Sequence, residues 1–335
     1  MNQEPIFLMG AHKSGTSLLR SLFDGHSQLF VIPIEAHFFE HLGYWVDYSI
    51  RRRFDEELSL ESIAQNLIKW IHKSNTTSDS YADNNMEGIW DGDEFEKSLY
   101  TNLEKKNIDL SELNGVKEII QSYVHSMYLS LYGHELPDDL RVVEKSVENA
   151  EFALELKQAF PKAKFVHIIR NPYPNMVSIR KYRGNNQGFP FLKKIVYSLY
   201  NSFYYLEKNK RLIGKDYRVI KYEDLVQKPE ELIKELVEFT GISDEEILYT
   251  PTALGKSWKG NSISDKKFNG ISSDRLDQWR KSISPIEVNL INRWFKQELK
   301  KYGYEQLKNK KAWAPVKGEN IVEYLQNRLL LKFFM

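Results

Sequence analysis

Ile6-Phe7-Leu8-Met9-Gly10-Ala11-His12-Lys13-Ser14-Gly15-Thr16-Ser17-Leu18-Leu19 decides how the rest of the chain is read. A short apolar run stops at one glycine, and a second glycine follows five residues later. Leu18, Leu19, Leu22 and Phe23 then recur at helical spacing. The pattern predicts a strand, a glycine turn and a helix. Backbone amides at a helix start have no partner inside the helix, and the helix dipole makes that end positive. Glycine lets the chain bend tightly around an anion. Gly10 and Gly15 therefore bracket a candidate phosphate cradle.

The nucleoside-triphosphatase version of such a loop continues from its second glycine with lysine and then serine or threonine. Here Gly15 is followed by Thr16-Ser17, and the lysine lies inside the loop at Lys13. A magnesium-nucleotide enzyme also wants an acid at the end of a buried strand. The apolar run from Lys164 ends instead in Arg170. An anion held without a metal, with Lys13 as the local cation, fits these residues better. On the loop alone, a turn that merely joins strand to helix stays open.

Four further apolar runs read as strands: Leu29 to Ile34 (which closes at Pro33), Arg141 to Glu144, Lys164 to Arg170 and Tyr217 to Tyr222. They are continuous rather than alternating, as in a parallel sheet covered on both faces. Helical patterns fill Ala150 to Phe160 and Pro229 to Thr240, the second with proline at its start and Gly241 after its end. The expected architecture is a doubly wound α/β fold with a mainly parallel central sheet flanked by helices. Residues 40–140 read as a largely helical insertion over the sheet. Residues 1–305 then form a single α/β domain, followed by a C-terminal tail, 306–335.

The composition sets outer bounds. The chain has 335 residues, 41% hydrophobic and 13% aromatic, enough for a sizeable core. It has no cysteine, which removes disulfides, cysteine-ligated zinc, iron–sulfur clusters and a thiol nucleophile. With 47 Lys and Arg against 46 Asp and Glu, nothing in the total charge suggests nucleic acid. The charge is uneven, however. Asp55 to Ser111 holds 13 acids and 5 bases, and Pro161 to Ile220 holds 13 bases and 2 acids. A basic stretch in a neutral protein suggests a local anionic ligand, and a solvated helix face is the plainer alternative. No run approaches the ~18 apolar residues of a membrane span and no targeting segment is visible, so a cytoplasmic protein is expected. The apolar stretch Leu329 to Met335 suits docking on the body or on another subunit, with a peripheral membrane contact as the alternative.

Gly10-Ala-His12-Lys13-Ser14-Gly15-Thr16-Ser17-Leu-Leu resembles the 5′-phosphosulfate loop of sulfotransferases that use 3′-phosphoadenosine 5′-phosphosulfate (PAPS). That motif is lysine or arginine, serine or threonine, then Gly-Thr-Thr or Gly-Thr-Ser at the first helix. The resemblance implies a P-loop-like fold, no metal, and release of 3′-phosphoadenosine 5′-phosphate (PAP). A second family motif, for the 3′-phosphate, has an arginine ending a strand and a serine eight residues later; Arg170 and Ser178 stand at that interval. Guanidinium and hydroxyl can share one phosphate, although a carboxylate partner for Arg170 stays open. Trp258-Lys259-Gly260 is similar to the basic loop that closes over the cofactor in this family. Glu144-Lys145-Ser146 resembles a position where a lysine faces the cleft.

In the carbohydrate branch of the family the base is a glutamate three residues before a Phe-Phe pair. Glu35, before Phe38-Phe39, stands in that place. His37 is the rival base or a substrate-contacting group, and His12 a more distant rival. Glu35 as a helix cap, or as a partner of Arg20, stays open. The resemblance thus implies sulfuryl transfer from PAPS to a hydroxyl, or less readily an amine, of a small-molecule, carbohydrate or glycan-like acceptor. The acidic insertion would suit a neutral acceptor better than a polyanionic one. A P-loop kinase acting on a small molecule and a non-catalytic nucleotide-binding scaffold are the competing readings.

Overall fold

The computed structural model describes residues 4–47, 57–76, 86, 88–106, 108–109, 113–185, 187–258, 260, 270–274 and 276–332. The chain opens with β1 (Ile6–Gly10), α1 (Thr16–Phe23), β2 (Leu29–Val31) and a single turn, α2 (Phe38–His41). Three helices of the insertion follow: α3 (Leu60–Thr76), α4 (Gly92–Glu104) and α5 (Leu113–Tyr132). The chain then returns through β3 (Arg141–Lys145), α6 (Ala153–Ala159), β4 (Lys164–Ile169), α7 (Pro172–Arg183) and α8 (Lys193–Ile213). It continues with β5 (Tyr217–Lys221), α9 (Tyr222–Gln227) and α10 (Pro229–Thr240). A short hairpin, β6 (Thr252–Ala253) and β7 (Lys256–Ser257), precedes α11 (Pro285–Trp294), α12 (Lys296–Lys301) and α13 (Ile321–Lys332).

All five long strands run parallel in the order β2-β3-β1-β4-β5. The expected parallel α/β sheet is therefore present. Apolar residues of the inner strands serve both faces because both are covered. In β1, Phe7 and Met9 join the core on one face while Ile6 and Leu8 join the core on the other. In β4, Phe165 and Ile169 alternate in the same way with Val166 and Ile168. One face is closed by α1 and α10 through Leu19, Leu22, Ile233 and Leu236. The other takes in the insertion: Tyr128 of α5 meets Phe30 edge-on at 5.0 Å, and Tyr123 meets Phe38 at 5.1 Å.

β3, β4 and β5 each end within one residue of expectation, and larger differences lie elsewhere. β2 stops at Val31, not Ile34. Ile32 still donates to the Val143 carbonyl at 2.9 Å, but Pro33 has no N–H to continue the ladder, and its carbonyl accepts from Arg20 at 2.8 Å. The predicted helix from Ala150 resolves into a 3₁₀ turn, Val147–Ala150, followed by α6. The 21-residue α8 was not anticipated, although Ile195, Val196, Leu199, Phe203 and Leu206 mark its buried stripe. Phe333-Phe334-Met335, the end of the apolar tail, lies outside the described residues. Among the described residues, no helix is long and apolar enough to cross a membrane.

Candidate active site

The carboxyl ends of β1, β3 and β4 meet where the chain's strand order reverses, the usual ligand position in an open α/β sheet. Gly10 closes β1 opposite Ile168 of β4. A Cβ at Gly10 would lie 2.4 Å from the Ile168 carbonyl oxygen and 2.7 Å from Ser14 Oγ, so only glycine fits this approach. Gly15 caps α1 at φ 108°, and a Cβ there would lie 2.5 Å from the Tyr222 ring. Lys13 also takes a left-handed backbone, φ 59°.

Neighbours hold the loop by its carbonyls. Asn175 Nδ2 donates to the His12 carbonyl at 2.7 Å, and Arg170 donates to the Lys13 carbonyl at 3.0 Å. These contacts turn two loop carbonyls toward α7 and the end of β4, and the Ser14 amide donates within the loop to the Ala11 carbonyl at 3.1 Å; the start of α1 is the end that suits an anion. Two buried polar groups at this place have no protein partner: Ser14 Oγ and Arg170 Nε. Buried donors are rarely left unpaired without a reason, and a bound anion supplies one. The Lys13 ammonium lies 4.4 Å from the centroid of the Tyr182 ring, at the last turn of α7.

Arg170 is fixed from several sides. Its guanidinium stacks on Tyr222 at 4.4 Å, the same ring that fills the space beside Gly15. The next residue, Asn171, caps α7 by accepting from the Tyr173 amide at 3.1 Å, and its own amide donates to Glu223 at 2.9 Å. Pro172 then occupies the first helical turn, where its missing N–H costs nothing. Ser178 lies in α7, partly buried. Trp258 is nearly buried, its amide on the Pro251 carbonyl at 3.0 Å, and Gly260 has φ 80°. The hairpin before Trp258 is anchored on Asp24, through Thr252 at 2.8 Å and Gly255 at 2.9 Å. Asp24 caps the far end of α1, about 13.5 Å along the helix from Gly15. Lys259 lies outside the described residues.

Glu35 follows β2 and meets Lys145 at the end of β3. The two side chains form an ion pair, with Lys145 2% exposed and Glu35 18% exposed. His37 Nε2 lies 3.5 Å from the other Glu35 oxygen, and His37 Nδ1 bonds the buried carboxylate of Glu148. His37 is itself fully buried. Burial is the largest single effect and would raise the Glu35 pKa, but Lys145, His37 and His12 together outweigh it and hold the carboxyl far below its ordinary range. The influence of His12 links the phosphate loop to Glu35. Glu35, His37 and Glu148 offer ligand atoms within 4.8 Å of one another, and Lys145 already supplies a cation to this group.

The segment 35–37 is clamped from below and above. Ala36 donates to Glu144 at 3.3 Å and His37 to Ser146 Oγ at 3.2 Å, both at the end of β3. From the insertion, Trp70 Nε1 of α3 donates to the Glu35 carbonyl at 2.6 Å, and its ring meets His37 edge-on at 4.9 Å. Burial pushes the Glu144 carboxyl up to about 7, against hydrogen bonds from Asn149, Ser146 and Ala36. Arg20 donates to Pro33, and Glu35 pairs with Lys145. The sequence reading missed Glu148, Asn175, Trp70 and the double use of Tyr222. It named Lys145 only in passing.

The Sulfotransferase family pattern matches residues 5–246. An uncharacterized protein of Aquifex aeolicus (strain VF5) is 27% identical over 176 residues, which cover 48% of this chain and 23% of the relative. A protein-tyrosine sulfotransferase of Drosophila melanogaster is 22% identical over 205 residues, 60% of this chain and 39% of the relative. This chain thus spans well under half the length of these curated relatives. Among solved structures, the sulfotransferase domain from the curacin biosynthetic pathway aligns with a TM-score of 0.53 at 19% identity, covering 92% of this chain and 99% of that one, a likeness of fold. From the first strand to the segment after α10, with the loop, Glu35 and Arg170 all inside the matched span, this chain belongs to the sulfotransferase family.

Proposed function

We propose that the protein transfers a sulfuryl group from PAPS to a hydroxyl of a carbohydrate or glycan-like acceptor. The observation that carries this reading is a carboxylate held ionised by a buried lysine beside a glycine loop with unpaired buried donors. The loop fits an anionic group: Gly10 and Gly15 admit no side chain, and Ser14 Oγ and Arg170 Nε lack partners. Bound PAPS would supply the activated sulfuryl group. The amides at the start of α1 and the Lys13 ammonium would hold its 5′-phosphate, and Arg170 with Ser178 its 3′-phosphate. Trp258, Lys259 and Gly260 would close over it.

Glu35 accepts the proton of the acceptor hydroxyl as that oxygen bonds to sulfur. Lys145 keeps Glu35 deprotonated at neutral pH and places a positive charge next to the transfer site. Glu148 fixes the His37 ring by its Nδ1, so that Nε2 faces Glu35 and steadies it. Lys13 offers a cation where charge grows on the leaving phosphate. We read residues 1–305 as one catalytic domain whose insertion, 40–140, shapes the acceptor site, supported by the Trp70 contact with Glu35. The test is transfer of label from radiolabelled PAPS across a panel of glycans, glycolipids and phenols. Labelled glycan supports the acceptor reading, labelled phenol alone overturns it, and no labelled product with PAP failing to bind overturns sulfuryl transfer.

A further inference from the structure

Helix α13 leaves an apolar stripe in solvent and packs on the protein through a mixed face, where Leu330 is 6% exposed and Leu331 lies against the core. On the inward side, Asn327 accepts from the Leu192 amide at 2.8 Å and donates to the Pro190 carbonyl at 3.3 Å. Arg328 donates to the carbonyls of Ala312 at 2.9 Å and Ala314 at 2.6 Å, and pairs with Glu319 at 2.5 Å. On the outward side stand Ile321, Val322, Leu325 and Leu329, 70%, 57%, 55% and 53% exposed. At about 100° per residue these four fall within one arc of about 100°. Trp313, 67% exposed, belongs to the same surface: Tyr324 donates to its carbonyl at 2.6 Å, and the Lys332 ammonium lies 5.6 Å from its ring. Single exposed apolar side chains are ordinary, but a continuous stripe marks a contact surface.

Charge identifies the occupant. Lys308 to Lys332 holds six bases and two acids. Lys308, Lys310, Lys311, Lys317 and Lys332 are exposed, whereas Glu319 is committed to Arg328 and Glu323 is partly buried, bonded to the Asn320 amide at 3.1 Å. A second copy docked about a two-fold axis would set lysine against lysine. An anionic bilayer satisfies both features: the stripe enters the acyl boundary, and tryptophan and lysines sit among headgroups. We propose that α13, with the segment from Lys308, is a docking surface for anionic phospholipid membranes, the helix lying in the plane of the interface. At 12 residues the helix is far too short to span. The proposal stands apart from sulfuryl transfer.

The test is co-sedimentation of the full chain with phosphatidylcholine vesicles, with and without phosphatidylglycerol. Binding is expected on the mixed vesicles, is weaker on phosphatidylcholine alone, and falls with added salt. L325S/L329S and K310E/K311E should each weaken it by about tenfold or more. These side chains point outward, so melting temperatures should hold; if the leucine variant melts early, the lysine variant decides. Absence of binding to mixed vesicles, or equal binding by the variants, overturns the proposal. A wild-type dimer that L325S/L329S makes monomeric in sedimentation velocity also overturns it, and assigns the face to a second copy.

Discussion

Lys145 and Glu35 form a nearly buried ion pair between two elements 110 residues apart in sequence. Removing one partner of such a pair strands the other charge, at a cost of about 3–5 kcal/mol. K145M should therefore lose stability of that order at pH 7. Glu35 has a folded-state pKa below its ordinary 4.5, so the stability it contributes is present above that value and lost as pH falls. The gap between K145M and the wild type should narrow in urea melts at pH 4. An equal gap at both pH values would mean that the lysine acts through packing.

E35Q keeps the shape and removes the proposed base. Transfer should fall by about 10²–10⁴, while PAP still raises the melting temperature. Parallel measurement of turnover and thermal shift separates this outcome from general collapse of the site.

R170A should weaken PAP binding by about 1.5–3 kcal/mol, the worth of a hydrogen bond to a charged group. Calorimetric titration measures it. Mg-ATP should stabilise neither protein; strong stabilisation by Mg-ATP would favour a kinase.

G15A should be far more damaging than G255A. Both glycines have positive φ, 108° and 69°. Only Gly15 has a ring 2.5 Å from its absent Cβ, whereas nothing lies within 4 Å at Gly255. G255A should cost about 1 kcal/mol, and G15A more than that together with loss of PAP binding. Melting curves with and without PAP compare the two.

Glu144 makes the opposite pH contribution to Glu35. Its folded-state pKa of about 7 lies above the ordinary 4.5. Its share of stability is therefore full below 4.5 and lost as pH rises through 7, on the order of 2 kcal/mol between pH 5 and pH 8. E144Q should flatten that decline in denaturant titrations at the two pH values.

The five strands were legible because each holds a short run of adjacent apolar residues, and such runs need no partner to be recognised. Pro229 to Thr240 was legible from its own proline and following glycine. The loop was legible because all its chemistry lies within eight residues. The ladder Glu148–His37–Glu35–Lys145 was not, since β2 and β3 become neighbours only through the sheet. Nothing local to Glu148 distinguishes it from any surface acid, yet it is 1% exposed. Pro33 marks the close of β2 in the sequence, whereas Arg20 reaching its carbonyl is a contact that no periodicity encodes. Tyr222 was quoted as part of a strand–helix unit; its role as the wall shared by Gly15 and Arg170 needed three elements in place.

The register of β1 on β4 has a last consequence. Gly10 lies opposite Ile168, and Arg170 follows two residues on, tied back to the Lys13 carbonyl. Adjacent strands are spaced about 4.8 Å apart by the backbone hydrogen bonds between them. On the proposed reading, the span between the two phosphate anchors is thus set by the sheet itself. The site then works as a ruler: it selects a nucleotide by the separation of its charged ends, and a donor of the wrong length would satisfy one anchor or the other, never both.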